Sequence, residues 1–147
     1  MTDETGKDTK DPNQARDPYE FLSKFSNAPT KSQIEAWKSQ APGGRIRMKA
    51  SSDLKRVYLM RAIGGTELAQ LQTRLPQNIA PERLPQELQI AIACHCCLWT
   101  NASPDGKLTD LVMRASGSGL SVTLHEVVSV LSDYEDPETI ERLSADL

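Results

Sequence analysis

Between Arg45 and Ala62 the chain reads RIRMKASSDLKRVYLMRA, and there the spacing of apolar residues drops to two. Ile46, Met48 and Ala50 alternate with Arg45, Arg47 and Lys49. In an extended chain that alternation puts three apolar side chains on one face and three cations on the other, the pattern of a half-buried strand. Ser51, Ser52 and Asp53 supply a turn, and Val57 to Ala62 is rich in β-formers, so the segment predicts a β-hairpin. A hairpin inside an otherwise helical chain excludes a pure bundle. The expected fold class is α+β, mostly helical, with one hairpin at about 45–62.

Helical signals surround the hairpin. In DPYEFLSKF, Asp17 is placed to cap, Pro18 suits the first helical position, and Phe21, Leu22 and Phe25 fall on one face. In APTKSQIEAWKSQAPGG, Thr30 and Gln33 have the spacing of a capping box, Ile34 and Trp37 lie one turn apart, and Pro42, Gly43 and Gly44 end the helix. After Gly64 and Gly65 the helical period resumes in TELAQLQTRL, closed by Pro76. QNIAPERLP reads as a loop, and Pro85 then opens the longest apolar helix, expected to run to about Trp99. TNASPDGK reads as a turn-rich loop, and Leu108 to Met113 as a short element of either type. Thr123 with Glu126 predicts a second capping box opening LHEVVSVLSDY, and Asp136 with Pro137 predicts a last helix in DPETIERLSADL.

The chain of 147 residues is long enough for one core and too short for two ordinary ones. Residues 1–16 lack aliphatic side chains beyond Met1 and Ala15, so they are expected to form a polar arm, disordered or ordered by a partner. Residues 17–147 are expected to form a single domain. The net charge of −3 is unevenly spread. Acids gather near the two ends, in Asp3, Glu4, Asp8 and Asp11 and again from Asp133 to Asp146, while Arg45, Arg47, Lys49, Lys55, Arg56 and Arg61 lie between them. Such a basic run is either a solvated face or a surface that meets an acidic partner. No apolar run approaches the roughly 20 residues that cross a bilayer, and the first residues lack an apolar signal core, so neither standard secretion nor a membrane anchor is expected.

The stretch IAIACHCCLW, Ile90 to Trp99, concentrates all three cysteines and one of two histidines. Such close spacing on one helix is poor for a disulfide and points to a reducing compartment. Cys94 and Cys97 could share a helical face and, with the remote His125, begin a metal or thiol site. Zinc, however, takes four ligands, and no second pair exists. A nucleophilic thiol needs a base and a stabilised thiolate, whereas burial disfavours the thiolate. His95 projects about 100° away from Cys94 and Cys96 on a helix. Cysteine as buried filler is therefore the expected reading, with no metal, cofactor or catalytic residue. GGRIR and GSGLS lack the spacing of a nucleotide phosphate loop, and PDGK reads as a plain turn.

The order of elements carries a further signal: a W-K helix (Trp37, Lys38), a hairpin ending in Y-x-x-R (Tyr58, Arg61), a helix ending in CLW (Cys97, Leu98, Trp99), and a late T-L-x-E helix (Thr123, Leu124, Glu126). This order, from about Ala28 to Ile140, resembles small proteins encoded among the tail and baseplate genes of tailed bacteriophages, tail-assembly-chaperone-like proteins among them. The resemblance implies a non-enzymatic structural subunit or assembly factor, located in the virion or in the host cytoplasm during assembly. Its partners would be other tail or baseplate proteins, in a homo- or hetero-oligomer. The expected contact face is the hairpin, through Arg45, Arg47, Lys49, Lys55, Arg56, Tyr58 and Arg61. Two rival readings remain. One is a small zinc- or thiol-dependent protein using Cys94, Cys97 and His125; the other is a nucleic-acid-binding adaptor using the same hairpin, with Tyr58 available to stack. The acidic ends and sparse aromatics weigh against the adaptor.

Overall fold

The computed structural model describes residues 17–132. The expected polar arm and the expected last helix after Asp136 lie outside the described residues. Within them the order is α1 (Pro18–Leu22), α2 (Lys31–Gln40), a 3₁₀ turn (Pro42–Gly44), β1 (Ile46–Ala50), β2 (Val57–Arg61), α3 (Gly65–Arg74), a second 3₁₀ turn (Pro81–Arg83), α4 (Leu84–Cys96), β3 (Cys97–Thr100), α5 (Asp110–Ala115) and α6 (Gly119–Leu131). The α+β class stands.

The helix starts follow from capping chemistry. The Asp17 carboxylate accepts from the N–H groups of Tyr19 (3.1 Å) and Glu20 (3.3 Å), and the Thr30 hydroxyl accepts from Gln33 N–H (3.2 Å). Thr109 does the same for α5 through Val112 N–H. Gly43 and Gly44 both adopt positive φ after α2, a conformation in which side-chain-bearing residues are strained. The Thr123–Glu126 spacing is not a start: α6 begins at Gly119, and both residues sit inside it on its exposed side. The capping spacing is misleading there because Ser121 and Leu124 turn toward the core one turn earlier than expected.

The sheet is antiparallel, in the order β1-β2-β3. β1 pairs with β2 from Ile46↔Arg61 to Ala50↔Val57, and β2 pairs with β3 through Tyr58↔Thr100 and Leu59↔Trp99. The helix expected to run to Trp99 stops at Cys96, and the chain continues extended as the third strand. An apolar run cannot by itself distinguish these outcomes; the unsatisfied edge of β2 decides it by supplying backbone partners. Met60 pairs with Cys97, so Leu98 is the extra residue of a bulge. Asn101 then locks the sheet end: its Oδ1 accepts from Val57 N–H (2.9 Å) and its Nδ2 donates to the Lys55 carbonyl (2.8 Å).

Both faces of the sheet are covered. On one side Val57, Leu59 and Trp99 pack with Leu22 and Ile34, backed by Phe21, Phe25, Trp37, Ile46 and Met48. On the other, Tyr58 and Met60 join Ile92, Ala93, Cys96, Leu124 and Val128. The TNASPDGK loop closes beneath the first cluster, where Gly106 (φ +78°) lies against the Trp99 ring. A Cβ at Gly106 would sit 2.6 Å from Trp99 Cδ1, whereas at Gly43 (φ +74°) it would meet nothing. Gly106→Ala is therefore expected to lower the melting temperature clearly more than Gly43→Ala, which carries only the backbone penalty of about 1 kcal/mol; thermal unfolding of the two variants compares them directly.

Candidate functional site

The hairpin's cations divide into two kinds. Arg45 is anchored, its Nη2 donating to the Leu131 carbonyl at 2.9 Å, where the C-terminal end of α6 favours a positive charge. Arg61 is also structural: Nη1 and Nη2 grip the two Glu67 oxygens at 3.1 and 2.8 Å, and Nη1 also donates to the Ala62 carbonyl. Arg47, Lys49, Lys55 and Arg56 differ. Among the described residues none of the four has a carboxylate within 4 Å. Arg47, Lys55 and Arg56 are exposed, and Lys49 is half-buried.

Tyr58, expected on the contact face, is only 2% exposed. It belongs to β2, whose two faces are both covered, so its ring packs in the core instead of facing a partner. Burial raises its hydroxyl pKa, and Arg56 beside it offsets part of the rise. Of the seven expected contact residues, four thus remain exposed or half-buried without a carboxylate partner among the described residues, and three serve the fold.

A polar cluster that the sequence reading did not single out lies at the far end of β2. Glu67, the third residue of α3, accepts from Gly64 N–H (3.0 Å), from both Arg61 nitrogens, and from His95 Nε2 (2.8 Å). A carboxylate only accepts, so Nε2 carries the imidazole hydrogen. The Arg61 hydrogen bonds are the main reason the Glu67 pKa falls from 4.5 to about 2, with the Gly64 amide and His95 adding to it against burial. Arg61 and Glu67 floor an open cleft of about 320 Å³ lined by Trp37, Gln40, Ala41, Pro42 and Leu98. The usable sequence signal was the Gly-Gly-x-Glu spacing, an acid at the third helical position. Nothing in the sequence reveals that His95, 28 residues on, would reach it.

The cysteines separate onto two elements. Cys94 and Cys96 belong to α4, while Cys97 begins β3, so the helical face that Cys94 and Cys97 were expected to share does not exist. Burial pushes the Cys94 thiol up to about 11 and those of Cys96 and Cys97 up to about 12. Among the described residues no hydrogen bond joins His125 to a thiol. Among the same residues no group of three or more His, Cys, Asp or Glu is placed to hold a metal ion. The described residues also contain no helix long and apolar enough to cross a membrane.

Two outcomes follow from these shifts. A carboxyl with a lowered folded pKa contributes stability that is present above its unfolded pKa and lost as pH falls through the folded one. The melting temperature should therefore drop between pH 4.5 and about 2 more steeply in the native chain than in Glu67→Gln, the two curves converging at the acid end. Iodoacetamide at mildly alkaline pH should label the native thiols roughly a hundredfold more slowly than the denatured chain, because the reactive thiolate is scarce and covered; equal rates would refute the buried-filler reading.

Compared with known proteins, the chain matches no family model, no curated protein and no solved structure.

Proposed function

We propose that this protein acts by protein–protein contact, without catalysis, as a structural subunit or assembly factor of a bacteriophage tail or baseplate. The observation that carries the contact reading is the set Arg47, Lys49, Lys55 and Arg56, clustered on one hairpin with no carboxylate within ion-pair distance among the described residues. The neighbouring cations Arg45 and Arg61 are engaged by the fold. Two of these cations, Arg47 and Lys49, sit on the edge strand β1 and two, Lys55 and Arg56, on the turn that follows it, and together they fit an acidic partner surface and steer its approach. The tail and baseplate assignment rests on the resemblance of the ordered motifs, whose residues Trp37, Tyr58, Trp99 and Leu124 all contribute to the two clusters that cover the sheet.

The raised thiol pKa values count against the thiol-dependent rival. The burial of Tyr58 removes the one stacking ring from the nucleic-acid rival. The test is affinity capture with tagged protein from cells producing the cognate phage, with captured proteins identified by mass spectrometry. Tail or baseplate proteins should be recovered at low salt and lost at high salt. The double reversal Arg47→Glu, Lys49→Glu should reduce their recovery at least about tenfold with little change in melting temperature, since neither side chain bonds within the described fold. Undiminished capture by the variant would move the contact surface elsewhere, and capture devoid of tail proteins would refute the assignment.

A further inference from the structure

The motif GSGLS, Gly117 to Ser121, is not a nucleotide loop, yet the fold leaves several of its features without a structural purpose. It opens α6, a helix of 13 residues whose first turn receives no side-chain cap. A cleft of about 260 Å³ lies against it, lined by Gln86, Ile90, Met113, Arg114 and the backbone and side chains from Ser116 to Ser118, with Ser121. Ser121 is only 5% exposed, and among the described residues its hydroxyl has no hydrogen-bond partner. A buried hydroxyl left unsatisfied costs about 1–3 kcal/mol, so something in the cleft is expected to meet it. Neither Gly117 nor Gly119 has a positive φ, and a Cβ on either would touch nothing. The fold alone does not call for glycine at these positions, and their backbone is open to close approach by another group.

Charge favours an anion. At the rim, Arg114 donates from Nε to Asp110 (2.8 Å) and from Nη2 to Glu87, and Arg83 also reaches Glu87. Two arginines balance two carboxylates, so the positive end of the α6 dipole decides the local sign. Arg114 also keeps the Nη1 hydrogens and one Nη2 hydrogen uncommitted among the described residues.

We propose that this cleft binds a phosphate group, held by the first-turn amides of α6 other than that of Leu120, which already donates to the Gly117 carbonyl, by the Ser121 hydroxyl and by the spare donors of Arg114. A single tetrahedral oxyanion meets all three donor types at once. A lone water would satisfy Ser121 but gives no reason for the bare Gly117 backbone. The phosphate can come as inorganic phosphate or as a phosphomonoester on a partner, and the site is distinct from the hairpin.

The test uses the full chain, labelled with ¹⁵N, titrated at constant ionic strength with sodium phosphate, with O-phosphoserine, and with sodium chloride as control. Saturable amide shifts confined to residues 117–121 and Arg114 are expected, with half-saturation at roughly 1–10 mM, for phosphate or phosphoserine and not for chloride. Response to both makes the inorganic group sufficient, and response to phosphoserine alone makes the ester the ligand. Ser121→Ala removes an unsatisfied hydroxyl, so it should melt no lower than the native chain while binding about tenfold more weakly. Gly117→Ala should fold normally and also bind more weakly, as its Cβ enters the cradle. Absence of a saturable shift for either phosphate compound, or native affinity in Ser121→Ala, would overturn the proposal.

Discussion

The structure depends on one strand being apolar on both sides. β2 sends Val57 and Leu59 into one cluster and Tyr58 and Met60 into the other, so its exclusion from water joins the two halves of the core. Each fully buried aliphatic side chain of this kind is worth about 1.5–3 kcal/mol relative to exposure. A strand buried on both faces must also have its backbone paired along both edges. That requirement explains β1 on one side and β3 on the other. It also explains why α4 stops at Cys96: the residues that would continue it are taken up as backbone partners for β2.

Glu67 performs a comparable task with polar groups. The end of β2 (Arg61), the start of α3 (Gly64) and the last turn of α4 (His95) all converge on one carboxylate. The three elements, which also meet in the apolar cluster through Ala62, Leu71 and Cys96, are thereby tied by polar groups as well. The arrangement stays inexpensive because the carboxylate accepts from a bidentate arginine, which repays much of its desolvation. It also uses up Arg61, which leaves the hairpin's outward charge to Arg47, Lys49, Lys55 and Arg56.

The division among the cations bears on the proposed role. Arginines that meet a carbonyl or a carboxylate, such as Arg45, Arg61 and Arg114, have their geometry set by the fold. The four hairpin cations without a carboxylate within reach among the described residues do not. Charge placed on a hairpin with no carboxylate in reach among the described residues attracts acidic surfaces over distances near the Debye length, about 8–10 Å. The ordered motif residues Trp37, Tyr58, Trp99 and Leu124 belong to the two clusters, so they serve the scaffold, and the proposed contact role falls to the surface charge.

Local chemistry was legible in the sequence. The alternation Ile46-Met48-Ala50, the caps at Asp17 and Thr30 and the Pro-Gly-Gly stop all depend on residues a few positions apart, and each appears in the fold as read; of the cysteines, Cys96 is buried and Cys94 and Cys97 are half-buried. What depended on distant pairing was not legible. Whether CLWT would be helix or strand was decided by the open edge of β2, some 40 residues away in sequence but adjacent in space. Thr123 and Glu126 carried a capping spacing that the packing of Ser121 and Leu124 overrode. Tyr58 looked like a surface aromatic until both faces of its strand were covered, and His95 acquired its partner only when α3 and α4 came together. Periodicity and capping operate within a turn or a strand, so the sequence by itself determined the element types near each signal; burial and ion pairing are sums over neighbours from remote segments, so only the tertiary structure decided them.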